Sequence, residues 1–211
     1  IKKIRITGGE PLVRKGLPQL ISRINQVNGI EDIALTTNGI FLSKYAKDLK
    51  AAGLRRINIS LDSLNHEKYK LITRNGNLQD VLAGIDAAIK YNLKPIKVNV
   101  VLLKDHNVDE IESFLKWTIR DKVQIRFIEY MPIGDTQSNW SKQYQSLSIV
   151  QDIANKIGQY TEKEREQSAG PARVFSFNEA KGRFGLIHPI SNEYCTTCNR
   201  LRLTADGNLK S

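Results

Sequence analysis

The sequence predicts an α/β protein organised on a parallel β-sheet. Three observations carry that prediction. Through Tyr130, strand-like and helix-like segments alternate at about 25–35 residues per unit, the rhythm of parallel strands joined by right-handed crossovers. Each strand-like segment alternates apolar and polar residues with period two, so each has one oily and one polar face. The first strand then runs straight into Gly8-Gly9-Glu10-Pro11, a turn that exposes bare backbone at a strand end. A doubly wound sheet and a (β/α) barrel both satisfy the rhythm.

The elements follow in order. In the opening strand Lys3, Arg5 and Thr7 fall on one side, Ile4 and Ile6 on the other. Residues 16–27 carry Leu17, Leu20, Ile21 and Ile24 at helical spacing, with Gly29 as the stop. Residues 32–37 form a strand closed by Asn38-Gly39. Residues 43–52 form a helix, with Ser43 as its N-cap and Gly53 beyond its end. A strand at 55–61 precedes a helix at 80–91, whose stripe is Val81, Leu82, Ile85, Ala88 and Ile89. A strand at 94–103 leads to a helix at 107–119, opened by Asn107 and Glu110 in a capping-box arrangement. A strand at 123–130 closes the series. The rhythm then breaks. Residues 131–145 read as a loop, 148–157 as a helix, 161–172 as a polar mobile segment, and 173–177 with 184–188 as a small hairpin. The expected division is a barrel core at 1–131 and a C-terminal extension at 132–211, which ends in the cysteine-bearing segment.

Bulk properties narrow the class. The chain has 211 residues, enough for one sizeable core, with 40% hydrophobic and 26% charged residues. No apolar run approaches the ~20 residues of a membrane span, and no signal-peptide pattern opens the chain, so no membrane association is expected. Cys195 and Cys198, the only cysteines, are too few for a disulfide-stapled secreted scaffold, which makes a cytoplasmic setting the default expectation. Beginning at Ile1, almost inside a strand, the sequence reads as a piece of a longer protein. A formal net charge of +10 favours an anionic partner: nucleic acid, a phosphate ligand or a membrane surface. Aromatic residues total only 7% and are scattered, which argues against the stacking platforms of an RNA-binding module.

The position of the cations decides more than their number. Fully covered parallel strands read as nearly continuous apolar runs; these do not. Asp32, Thr36 and Asn38 oppose Ile33, Leu35 and Thr37. Asn58, Ser60 and Asp62 oppose Ile57, Ile59 and Leu61. Lys97 and Asn99 oppose Ile96, Val98 and Val100, and Gln124 and Arg126 oppose Ile125 and Phe127. Unpaired Lys and Arg are too costly in a dry core, so the polar faces line a wet or ligand-filled space. In a curled sheet Lys3, Arg5, Lys97 and Arg126 aim at one cavity, where an anion with several charges, such as a polyphosphate, relieves their repulsion. An open sheet with one solvated face is the alternative. Glu10 offers a carboxylate to a ligand's amine.

The segment from Cys195 holds a C-x-x-C, with Arg200 and Arg202 after it. By itself the pair reads as half a zinc site, a dithiol couple or part of an iron–sulfur site. His188 is the nearest histidine and stands alone.

Taken together and in order, GGEP, TTNG, N-I-S-L-D, K-V-N-V-V, R-F-I-E-Y-M-P and C-x-x-C-x-R-x-R resemble the GTP 3′,8-cyclase (MoaA) family of radical S-adenosylmethionine enzymes, over essentially the whole chain. The resemblance implies a partial (β/α) barrel of the radical S-adenosylmethionine type, followed by a small C-terminal cluster-binding region. It implies a [4Fe-4S] cluster near each end and conversion of GTP to its 3′,8-cyclised product, the first step of molybdopterin biosynthesis. By match, Gly8, Gly9, Glu10, Ser60 and Met131 are expected at S-adenosylmethionine. Lys3, Arg5, Thr36, Lys97, Arg126, Arg200 and Arg202 are expected at GTP, and Cys195 and Cys198 at the second cluster. The family's C-x-x-x-C-x-x-C and its third C-terminal cysteine are absent from these 211 residues, so activity is expected of the parent protein rather than of this piece. Cyclic pyranopterin monophosphate synthase as the downstream enzyme and a homodimeric state are further expectations of the resemblance, with no nucleic-acid partner. A different radical S-adenosylmethionine enzyme with an auxiliary cluster, or a basic nucleic-acid-binding module, are the competing readings.

Overall fold

The computed structural model describes residues 1–132, 140–164, 170–191 and 200–210. Its centre is an eight-stranded sheet formed by β1 (Lys3–Ile6), β2 (Asp32–Thr37), β3 (Arg56–Ser60), β4 (Ile96–Leu102), β5 (Val123–Glu129), β6 (Tyr160–Glu162), β7 (Arg173–Phe177) and β8 (Arg183–Ile187). The strand order is β1-β2-β3-β4-β5-β8-β7-β6. From β1 to β5 every neighbour is parallel, and β8 continues parallel to β5. Antiparallel β7 and β6 finish the edge.

Period two does what the alternation requires. Ile33, Leu35, Ile57, Ile59, Ile96, Val98, Val100, Ile125 and Phe127 are all buried, on the face covered by helices. Those helices are α1 (Leu17–Asn25), α2 (Leu42–Ala51), α3 (His66–Thr73), α4 (Leu78–Lys90) and α5 (Ile111–Arg120), followed by α6 (Trp140–Gln143) and α7 (Ser148–Ile157). In α4, Asn77 accepts from the Gln79 amide at 3.1 Å, and Leu78, Val81, Ile85 and Ala88 form the buried stripe. The helix approaches the turn after β2 so closely that a Cβ at Gly84 would lie 2.5 Å from the Gly39 carbonyl oxygen.

Several local expectations yield to tertiary partners. Ser43 is not a cap: α2 starts at Leu42 with Phe41 at the cap position and no side-chain capping bond. The preceding turn is instead held by Thr37, whose hydroxyl accepts from the Gly39 amide at 3.1 Å, and by Asn38, which accepts from the Ile40 amide at 3.0 Å. Asn107 and Glu110 make no capping box. The Asn107 amide donates to the carbonyls of Asp62 and Val101, and its oxygen accepts from the Leu103 amide. Glu110 is buried and accepts from the Ser63 hydroxyl at 2.7 Å and from the amides of Leu64 and Asn65 at 2.6 and 3.0 Å. Two buried loops with unsatisfied amides outcompete a helix end that solvent could serve. Helix α3 escapes the periodicity reading because only Tyr69 is buried on it; its start is marked by Asn65, which accepts from the amides of Glu67 and Lys68. Thr161 and Glu162 of the segment expected to be polar and mobile belong to β6, which pairs with β7. The expected hairpin is present as β7 and β8, but it is not a satellite. From Gln124 to Ile128, β5 pairs with β8, so the sheet runs on past residue 131. Tyr160, Phe175, Phe177 and Phe184 pack there with ring centroids 5.2–5.8 Å apart.

Substituting Gly84→Ala should lower unfolding stability by about 1–2 kcal/mol, since overpacking against backbone outweighs the better helix propensity of alanine. Gly158→Ala, where a Cβ meets nothing within 4 Å, serves as the control. Urea unfolding that shows equal midpoints for the two variants contradicts this packing account.

Candidate functional site: a basic sheet face with glycines at its rim

The face opposite the helices is ordered by the strand registers. Arg5 of β1 lies beside Ala34 of β2, which lies beside Arg56 of β3. One step along, Thr36, Asn58, Lys97 and Gln124 align across β2 to β5. The next row is Ser60, Asn99, Arg126 and Gly185. Lys3, Arg5, Thr36, Lys97 and Arg126 therefore share one face. On a flat sheet β1 and β5 would be about 19 Å apart at ~4.8 Å per strand step. The charges of Arg5 and Arg56 nonetheless bear on Arg126, which a sheet curled toward its polar face explains.

Arg126 is the most confined of these cations, only 5% exposed. Its Nη2 donates to Asn58 Oδ1 at 2.6 Å, and the Asn58 amide donates in turn to the Leu35 carbonyl and the Thr36 hydroxyl. Burial, then the charges of Arg5 and Arg56, push its pKa down to about 9, which still leaves the guanidinium protonated at neutral pH. Among the described residues its Nε and the neighbouring Asn99 Oδ1 are buried without a hydrogen-bond partner. Arg5 is open to solvent, but its pKa is lowered too, first by desolvation and then by Arg56 and Arg200, against an opposing pull from Asp32. Arg200 thus belongs to the same electrostatic neighbourhood. Arg202 lies exposed on β9 (Arg202–Leu203), which pairs with β10 (Leu209–Lys210) in a separate two-stranded sheet. Sequence reading missed Arg56, although it shares the parity of Asn58 and Ser60.

Gly8, Gly9, Ser60 and Met131 all follow or end strands of the parallel set, so they gather at one rim. A Cβ at either glycine would meet nothing within 4 Å, and Gly8 has φ +150°, a conformation that favours glycine. Ser60 is exposed and Met131 is 38% exposed. Glu10 ties the turn to the end of β2: Oε1 accepts from the Leu12 amide and the Thr37 hydroxyl, and Oε2 from the Asn38 amide at 2.7 Å. One lone pair of Oε2 is left for a ligand. Asp62 sits beyond Ser60 and accepts from the Val101 amide at 2.8 Å; burial pushes its carboxyl up more than that bond pulls it down.

A third carboxylate at this rim carried no signal in the sequence. Glu129 is buried at the end of β5. Its Oε1 accepts from the Ser191 hydroxyl at 2.6 Å and the Tyr144 hydroxyl at 3.1 Å, and its Oε2 from the amides of Ile190 and Ser191 at 3.0 and 3.1 Å. Burial pushes its carboxyl up, but these four bonds outweigh it and hold the group below the ordinary value. Glu129 so fixes the chain just ahead of residues 192–199. Cys195 and Cys198 lie in that stretch, outside the described residues, and no cluster of potential metal ligands occurs among the described ones. Two surface hollows, one near Tyr160 and Asn178 and one between Val108 and Ile157, involve none of these residues.

A mostly parallel sheet, helix-covered on one face and basic on the other, with glycines at the strand rim, defines an α/β scaffold of the partial-barrel kind. Residues 1–118, more than half of the chain, match the Radical SAM superfamily, and the chain belongs to it. Residues 123–211 match Molybdenum Cofactor Synthesis C. The GTP 3′,8-cyclase of Listeria welshimeri is 49% identical over the whole chain, and that of Thermodesulfovibrio yellowstonii 50%. The chain spans 64% and 65% of their respective lengths. Among solved structures, TYW1 with a lysine–pyruvate adduct bound superposes with a TM-score of 0.56 at 17% identity, over 85% of this chain and 55% of that one. Coproporphyrinogen III oxidase (HemN) from Escherichia coli, a radical SAM enzyme, gives 0.51 at 14%, over 74% and 39%. These two likenesses concern the fold. Among the described residues no helix is long and apolar enough to cross a membrane.

The lowered Glu129 carboxyl has a signed consequence. Its stabilisation is present above the unfolded carboxyl value of about 4.3 and is lost as pH falls through the lower folded value. Glu129→Gln should cost about 1–3 kcal/mol at pH 7, because an amide cannot accept all four bonds. The gap to the native protein should narrow at about pH 3. Denaturant titrations at both pH values measure it; an equal gap at both contradicts the assignment.

Proposed function

We propose that the whole protein to which this chain corresponds is a GTP 3′,8-cyclase. The reading rests above all on one observation: Arg5 and Arg56 lie within electrostatic reach of Arg126, and Arg200 within reach of Arg5, on or beside the sheet face opposite the helices. Like charges held so close need an anion of several charges, and a nucleoside triphosphate provides it. The names of the relatives and the match to Molybdenum Cofactor Synthesis C support the same substrate.

The residues divide into two groups by position. Lys3, Arg5, Lys97 and Arg126 take the triphosphate, with Thr36 offering a hydroxyl and Arg200 and Arg202 approaching from the C-terminal segment. Asn58 holds Arg126 through its Nη2, and the buried Nε is left without a partner among the described residues. Gly8 and Gly9 leave room at the rim for S-adenosylmethionine, beside Ser60 and Met131, and the free lone pair on Glu10 receives its amino group. The open space over both glycines and the orphaned Arg126 Nε and Asn99 Oδ1 fit such occupants. The thiolates of Cys195 and Cys198 are the donors this chain offers an iron–sulfur cluster. When bound, the [4Fe-4S] clusters and S-adenosylmethionine supply the one-electron chemistry that joins ribose C3′ to guanine C8. The reading includes two clusters in the whole protein, a cytoplasmic homodimer, and cyclic pyranopterin monophosphate synthase as the next enzyme.

In the full-length reconstituted protein, Arg5→Ala and Lys97→Ala should each weaken GTP binding by at least about tenfold, while reductive cleavage of S-adenosylmethionine without GTP continues. Equilibrium dialysis with labelled GTP measures it. Unchanged GTP affinity in both variants overturns the assignment and favours another substrate on the same superfamily scaffold.

A further inference from the structure

One acid sits among the cations. Asp32 opens β2 beside Lys3 in register, one row from Arg5, Ala34 and Arg56. It accepts from Arg56 in bidentate fashion, Nε to Oδ1 at 3.1 Å and Nη2 to Oδ2 at 2.5 Å. The side chains are only 18% and 20% exposed, so water screens the pair poorly. Ala34, buried between the two arginines, brings no bulk to the row that Arg5 and Arg56 flank. Among the described residues Asp32 is also the only carboxylate whose charge bears on Arg5, and none bears on Arg126. The acids at the rim, at the far ends of the strands from Asp32, spend their oxygens on backbone amides and hydroxyls instead, Glu10 and Glu129 among them.

We propose that Asp32 is the resident counter-ion of the basic face: by engaging Arg56 it withholds one guanidinium from an incoming polyphosphate and so sets how many negative charges the face prefers. This rests on the reading of that face as a polyphosphate site. In this role Asp32 tunes specificity without being consumed or displaced. The bidentate geometry fixes the Arg56 guanidinium against Asp32, and the carboxylate cancels its charge at short range. An anion that arrives meets Arg56 only in part, its charge already offset by Asp32. Removing the carboxylate frees Arg56, and the gain is larger for an anion carrying more charge. A purely architectural salt bridge makes the opposite forecast, since losing it loosens the row and weakens every anion.

The test is a charge ladder in the full-length protein without cofactors, with inorganic tripolyphosphate and orthophosphate as probes and titration calorimetry as the readout. Asp32→Asn should tighten tripolyphosphate binding by about tenfold at low salt, orthophosphate by less, and the gain should shrink at high salt. Arg56→Gln should weaken tripolyphosphate by a similar factor, because Asp32 is then an uncancelled charge beside Arg5. The double variant, with the native net charge, should return to near-native affinity; it also covers the case in which either single variant folds poorly. If Asp32→Asn and Arg56→Gln both weaken tripolyphosphate and the double variant does not recover, Asp32 is architectural and the proposal is overturned while the polyphosphate site stands. If the native protein and all variants ignore tripolyphosphate, the reading of the face falls, and the proposal with it.

Discussion

The buried guanidinium of Arg126 is the constraint around which the rest of the molecule is arranged. A cation 5% exposed, with Arg5 and Arg56 in electrostatic reach, is an unfavourable thing to place on a sheet. It persists because Asn58 receives one of its N–H groups, and because Asn58 is itself anchored to β2 through Leu35 and Thr36. Three adjacent parts of the sheet thus share the cost of one charge. The parallel registers from β2 to β5 make that sharing possible, and the helices packed on the oily face hold those registers in place.

At the rim the division of labour is reversed. There the carboxylates do structural work and the glycines leave space. Glu10 joins the ends of β1 and β2, Glu110 joins the loop after β3 to the start of α5, and Glu129 joins the end of β5 to Ile190 and Ser191. Each accepts at least three hydrogen bonds, two of them from backbone amides. Loops that carry ligand-facing residues are normally the less ordered parts of a fold. Here a carboxylate ties down the turn after β1, the loop after β3 and the segment after β8.

Much of this was legible in the residues alone. The alternation of Ile57, Ile59 and Leu61 with Asn58 and Ser60 marks a strand with two unlike faces, and β2 and α7 span the residues their patterns mark, Asp32–Thr37 and Ser148–Ile157. The capping readings at Ser43 and Asn107 failed because capping is local and these side chains had better distant partners. Helix α3 was missed because its one buried residue, Tyr69, is too little for a periodic signal. Glu110 and Glu129 were invisible as buried acids, since a carboxylate reads as a surface residue until its amide partners from 45 or more positions away are in place.

What the sequence by itself determined was the set of faces: which residues of each strand turn to oil and which to water, and where glycine interrupts the chain. That follows from period two, which needs no knowledge of neighbours. Only the tertiary structure decided which strands lie side by side, and therefore that Ala34 separates Arg5 from Arg56, that Asp32 grips Arg56, that Asn58 backs Arg126, and that β8 extends the sheet beyond β5. Charge repulsion, ion pairing and desolvation depend on distances through space, and strand order with register sets those distances across the sheet.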